Sequence, residues 1–213
     1  MFTVAKHVKR PIASVILSLL IVKAILVTNA VWAKETPWDL QRQDGSIRIY
    51  SRSVEGSAYL AIKATVLIDA PVQRVSQLMG NGNGCARWRA KCKSSKVLET
   101  LSEREQYIYM VLDLPWPASD RDIVVHSSTE IDAQARTATV KLESVSSRHP
   151  SADYVRAESS GQFVIREIHG SQVEFTYIMH TDLGGDLPAG MVNSGLAEAA
   201  FDDLHRLQQL AEE

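Results

Sequence analysis

Cysteine is nearly absent from this chain: Cys85 and Cys92 are the only two among 213 residues. A zinc site there would need two more ligands at suitable spacing, and none stands nearby. Clustered basic charge is missing as well. No stretch concentrates Lys and Arg with aromatic residues, so a nucleic-acid surface has no support. There is no G-x-S-x-G elbow, no H-E-x-x-H helix and no P-loop, so the familiar catalytic signatures are absent. Gly80-Asn81-Gly82-Asn83-Gly84 is glycine-rich, but it follows a helical pattern instead of a strand and reads as a cap and turn. The six histidines are scattered. No internal repeat or low-complexity tract is present, and nothing in the sequence calls for a cofactor or a metal.

A clean membrane span is lacking too. Ile12 to Val27 is an apolar run broken by serines and Lys23. It is shorter than the ~20 residues a span needs, and the lysine within it is costly. Lys6, Lys9 and Arg10 precede the run, and Val31-Trp32-Ala33 follows it. Basic start, short apolar middle and small-residue end predict a secretory signal over residues 1–33, cut near Ala33; an uncleaved inner-membrane tether is the alternative. Either way the remainder is expected to be exported, periplasmic or extracellular. Removing residues 1–33 takes away four cations and no acids, so the formal charge moves from −2 to −6. That balance argues against tight adhesion to anionic lipid, and membrane contact would be brief. Residues 34–213 suit a single domain, expected to work as a monomer. An oxidising compartment favours pairing Cys85 with Cys92, worth roughly 2–3 kcal/mol. Geometry leaves the bridge open. A continuous helix over 85–92 would hold the Cα atoms ~10 Å apart, too far, whereas an irregular turn begun at Gly82 and Gly84 would permit it.

Pro37 to Gln43 is expected to form a short first helix, with Trp38 and Leu40 as its apolar contacts. Ser46–Val54 alternates Ile47 and Ile49 against Arg48 and Tyr50, which predicts a strand. Leu60, Ile62, Ala64, Val66 and Ile68 take every second position of the next, half-buried strand. Asp69-Ala70-Pro71 opens a helix whose stripe is Val72, Val75, Leu78 and Met79, and Gly80 ends it. Six further strands are expected at about Lys96–Leu101, Glu105–Leu112, Arg121–Ile131, Arg136–Ser144, Ala157–Ile168 and Gln172–Thr181. Short connections make an antiparallel, strongly curved meander the economical topology. Leu187-Pro188 begins a final helix running to about Ala211, with Val192, Leu196, Ala199, Ala200, Leu204 and Leu207 on one face. The first half of that face is unusually small, which leaves either close packing or empty space opposite a curved sheet.

Two stretches go further. Leu114-Pro115-Trp116-Pro117-Ala118-Ser119-Asp120-Arg121-Asp122 resembles the "P-x-P-x-S-x-R-D" entry to a central strand of START domains, the lipid-transfer domains related to steroidogenic acute regulatory protein. Asp182 to Asn193, carrying Gly184, Gly185, Pro188 and Asn193, resembles that family's "D-x-G-G-x-x-P-x-x-x-V-N" lead into its last helix. Both also make physical sense. Pro115 and Pro117 stiffen a loop, Gly184 and Gly185 allow backbone angles closed to other residues, and Pro188 suits a helix's first turn. Arg121, Asp122 and Asn193 are expected to act mainly as architecture.

The resemblance implies an α+β helix-grip fold, a curved antiparallel β-sheet wrapped around the long C-terminal helix and enclosing an apolar cavity that holds one lipid. The expected walls are Tyr109, Val111, Val124, His126, Phe163, Ile165, Tyr177 and Met179 on the strands, and Val192, Leu196, Ala199 and Ala200 on the helix. Loops Ser146–Asp153 and Leu183–Leu187 are the expected lids. The resemblance also marks a departure. Sterol-carrying members place an acid–base pair in the tunnel; here the base's position is Ser127 and the acid's falls near Val111. A different polar anchor then becomes plausible, with His126, Tyr177 and His180 as candidates. Non-catalytic lipid binding and transfer is the expected function. An aromatase/cyclase-like enzyme acting on an aromatic or polyketide substrate in the same cavity is the alternative, since fold cannot choose between them.

Overall fold

Period-two alternation builds most of the molecule. In the computed structural model, which describes residues 36–116, 118–151 and 153–213, one ten-stranded sheet carries three helices on its inner side. The expected signal segment and Pro117 lie outside those residues. The strands are β1 (Asp39–Asp44), β2 (Ile47–Arg52), β3 (Ala61–Ile68), β4 (Cys92–Ser102), β5 (Glu105–Leu112), β6 (Arg121–Asp132), β7 (Thr137–Ser144), β8 (Val155–Arg156), β9 (Glu158–His169) and β10 (Gln172–Asp182). Their order is β1-β2-β3-β10-β9-β7-β6-β5-β4, antiparallel throughout, with β8 lying parallel beside the start of β6. The sheet is open, and the crossover that sets β3 beside β10 brings its two sequence halves together.

The expected first helix is instead β1. Asp44-Gly45 is a hairpin signal that outweighs the weak helical pattern before it, and Gly45 sits at φ 55°. Trp38 is packed under the Arg52 guanidinium, 4.4 Å from its ring centre, instead of closing a helix face.

One glycine permits a close strand approach beside the cavity wall. Gly161 on β9 faces Met179 on β10, and a Cβ there would fall 2.1 Å from the Ile178 carbonyl oxygen and 2.9 Å from the Met179 Cα. Only a residue without a side chain lets the two backbones approach so closely.

Helix α1 (Val72–Gly80) buries Val75, Leu78 and Met79, and α2 (Cys85–Trp88) is a single turn that buries Trp88. Trp88 meets Phe163 and Phe175 edge-on, with ring centres 5.6 and 6.5 Å away. Because α2 stops at Trp88, Cys85 and Cys92 approach to 6.0 Å between Cα atoms and are joined by a disulfide.

Helix α3 (Ala189–Glu212) runs ~36 Å across β2 and β3. Its second half is solid core, where Leu204 and Leu207 are fully buried. Its first half is not.

Candidate functional site

The hollow lies under that first half of α3. A cavity of about 400 Å³ opens between Met191, Val192, Gly195, Leu196, Ala199 and Ala200 of the helix and Leu60, Ile62, Leu112, Tyr177 and Met179 of the sheet side. Two loops line its outer end: Leu114, Pro115 and Ala118 from the proline motif, and Leu183 and Leu187 from the glycine motif. The small residues that left the sequence reading open between close packing and empty space therefore border empty space.

Arg121 ties those two loops together. Buried to 3 % exposure, it donates from Nε to the Leu183 carbonyl at 2.8 Å and from Nη1 to the Ser119 carbonyl at 2.6 Å. Gly184 and Gly185, at φ 62° and 64°, bend the second loop toward it, and a Cβ on Gly184 would strike the Arg156 carbonyl at 2.7 Å. Asn193 fastens the helix start to the sheet, accepting from the Leu60 N–H at 3.0 Å and donating to the Ala58 carbonyl at 3.1 Å. Pro188 directly precedes the first helical residue.

Six of the twelve expected wall residues border the cavity: Tyr177, Met179, Val192, Leu196, Ala199 and Ala200. Phe163 and Ile165 face inward but belong to the buried core around Trp88, away from this cavity. The facing of β5 and β6 is the reverse of the expectation. Ile108, Met110, Leu112, Ile123 and Val125 point inward, so Tyr109, Val111, Val124 and His126 lie on the outer face.

The reason is a second cover. Loop Ser146–Asp153, expected as a lid, forms with β8 a strap against that outer face instead of closing the cavity. Tyr109 contacts the His149 ring at 4.9 Å, Arg148 donates to the Tyr107 hydroxyl, and the buried Asp122 carboxylate takes two bonds from Arg156, at 2.8 and 3.1 Å. Val111 and Val124 are buried by this strap, at 5 % and 0 % exposure, so both faces of these strands read as apolar. Burial pushes the Asp122 carboxyl up, but hydrogen bonds from Arg156 and Ser151 outweigh it and hold the group below the ordinary carboxylate range.

Ser127 does face inward, onto a separate space of about 40 Å³ beside Trp88. The position expected for its acid partner, near Val111, is on the outer side, and the inward neighbours Met110 and Leu112 are apolar. His126 sits against Tyr107 on the outer face, and His180 bonds Ser57 at 3.0 Å, away from the cavity lining.

A charge pair is nevertheless present, from residues the sequence reading did not single out. Asp203 of α3, 4 % exposed, accepts from the Ala90 N–H at 2.6 Å and lies 3.5 Å from the Arg89 Nε. Both residues border the cavity beside Tyr177. Burial raises the Asp203 carboxyl above its usual range, with Arg89 opposing. Burial, reinforced by the charge of Asp203, pushes the Tyr177 phenol well up, so its hydroxyl keeps its proton. A signal existed: Asp203 is an acid standing in the apolar stripe of Ala200, Leu204 and Leu207.

The START domain family model matches residues 18–213. A STAR-related lipid transfer protein of Xanthomonas axonopodis has the same fold at TM-score 0.75 and 29% sequence identity, over 83% of this chain and 99% of that one. An uncharacterised protein of Pseudomonas aeruginosa is 28% identical over 186 residues, 82% of this chain and 87% of its own length. At 16% identity and TM-score 0.50, the Zhui aromatase/cyclase of a Streptomyces species covers 71% of this chain and 93% of its own, a likeness of fold alone.

Proposed function

Because this chain belongs to the START domain family, we propose that it takes one lipid or other hydrophobic molecule into the cavity under α3 and transfers it without altering it. The observation that carries this reading is the cavity of about 400 Å³ where a soluble domain would ordinarily be solid. That size falls within the ~300–1,000 Å³ of small-molecule sites. Each ~100 Å² of apolar ligand surface removed from water contributes about 2.5 kcal/mol before ordering costs, so affinity needs few polar contacts.

Entry and release would go by way of the two loops that Arg121 ties together. Their rim is apolar: Trp116 is 92 % exposed next to cavity-lining Pro115, and Met191 is 50 % exposed at the helix start. Such side chains suit brief insertion at a bilayer surface, with release into the aqueous phase favoured by the acidic net charge. The apolar run and basic start of residues 1–33 support an exported protein working in the cell envelope, periplasmic or extracellular, cleaved or tethered at the inner membrane.

The test is native mass spectrometry of protein recovered from its own export compartment, paired with movement of a labelled lipid between vesicles. One unmodified lipid per chain, and vesicle transfer, are expected. A ligand-free protein that moves nothing would refute the carrier. An aromatic or polyketide substrate returned chemically changed would establish the cyclase-like enzyme instead.

A further inference from the structure

One end of the cavity is chemically unlike the rest. Tyr177 is 5 % exposed, borders the cavity, and its hydroxyl has no hydrogen-bond partner among the described residues. It is not sealed inside protein either, because no fully enclosed side-chain polar atom lacks a partner there. A phenol so placed directs its hydroxyl at the cavity space. Beside it, the Nε of Arg89 lies 3.5 Å from Asp203, and its terminal N–H groups make no hydrogen bond to the described residues. Asp203 has one oxygen committed to Ala90 and the other held only at that long distance. The cluster therefore offers donors from Tyr177 and Arg89 and an acceptor from Asp203.

Charge narrows what can use them. Arg89 and Asp203 cancel, and the remaining charged residues of the lining are Lys91, Glu198 and Asp202. Glu198 is paired with Arg42 from outside the lining, so the charges balance, and an anionic head group would add net negative charge inside an apolar space. A neutral group that only accepts would leave Asp203 unserved. A hydroxyl both donates and accepts, and it carries no charge.

Resting on the carrier reading above, we propose that Tyr177, Arg89 and Asp203 form a head-group site that selects a neutral lipid bearing a hydroxyl over an anionic lipid of the same chain. The test uses the full chain, with Nile red as cavity probe, displaced by dodecanol, dodecane and dodecanoate at about pH 8, where the dodecanoate is ionised. Dodecanol is expected to bind about tenfold tighter than dodecane, with dodecanoate no tighter than dodecane. Tyr177→Phe removes an oxygen that no protein group uses, so the fold should be untouched; it is expected to cut the alcohol's advantage over dodecane severalfold. Asp203→Asn keeps an acceptor for Ala90 but leaves Arg89 uncompensated, and dodecanoate is expected to gain about tenfold.

Equal binding of alcohol and alkane by the wild type, or an advantage that survives Tyr177→Phe, overturns the head-group site while leaving the carrier standing. Dodecanoate binding that ignores Asp203→Asn overturns the charge argument. If neither dodecane nor dodecanol displaces the probe, the carrier reading fails, and the head-group site falls with it.

Discussion

Replacing Ala199 by tryptophan asks whether the interior under α3 is hollow, because the two answers carry opposite signs. Ala199 lies on the cavity wall, in the half of α3 whose neighbours are small. An indole has ~150–250 Å² to bury, worth about 4–6 kcal/mol at full burial. The mouth leaves part of it wet, and tryptophan forms helix less readily than alanine by roughly 0.5 kcal/mol. A net gain of about 1–2 kcal/mol is therefore expected if the space is empty. Were the interior close-packed, the same residue would cost about 1–3 kcal/mol through displaced backbone and strained rotamers. At roughly 2–4 °C per kcal/mol for a domain of this size, calorimetry should read a Tm raised by a few degrees. Nile red and lipid binding should be lost in the same variant. A Tm lowered by about 5 °C or more with binding retained would refute the reasoning, since it would mean that the indole met protein and the ligand went elsewhere.

Two further substitutions test the scaffold that shapes the cavity. Gly161→Ala should destabilise by about 3 kcal/mol or more in urea titration, because the added carbon meets backbone atoms of Ile178 and Met179 that cannot move without parting β9 from β10; a change under about 0.5 kcal/mol would contradict the close approach. Asp122→Asn should cost about 3–5 kcal/mol near pH 7, since it strands the Arg156 guanidinium on the outer face. The folded Asp122 carboxyl sits below its unfolded value of ~3.9, so its contribution is present above that pH and fades as pH falls through the folded value. Wild type and variant should therefore converge in stability below about pH 4, and a gap that stays constant with pH would rule the ion pair out as its cause.

What could be read from the sequence follows from how many partners each face has. Ile62, Ala64, Val66 and Ile68 on β3, and Val173, Phe175, Tyr177 and Met179 on β10, have a single buried face, so alternation alone assigns their direction. The stripe on α3 is legible for the same reason. On β6, Ile123, Val124 and Val125 are all buried, because the 146–156 strap covers one side and the core the other, and no alternation remains to read. The Arg89–Asp203 pair was hidden differently. Its members come from a one-turn helix end and the last helix, and only the packing of α2 against α3 joins them. The first strand is not legible as one because its side chains are mostly exposed and set no period, leaving the Asp44-Gly45 turn as its signal.

The distribution of stability across the molecule has a consequence for function. An empty, dry cavity forgoes about 24 cal/mol per Å³, so 400 Å³ approaches 10 kcal/mol, the same order as the whole net stability of a typical domain. Water in an open mouth reduces that figure, yet the fold must still gather its stability elsewhere. It does so in places that do not border the cavity: Leu204 and Leu207 in the far half of α3, the Trp88–Phe163–Phe175 cluster, the Cys85–Cys92 bridge, and the Asp122–Arg156 strap on the outer face. The first half of α3 and its two loops are correspondingly poor in packing, held by discrete hydrogen bonds from Arg121 and Asn193. Bonds of that kind, worth about 1 kcal/mol each for neutral groups and more for a guanidinium, can open singly without unfolding the core. On the proposed carrier function, a guest would enter and leave through this loosely packed region while the rest stays folded, which is the physical requirement of a carrier.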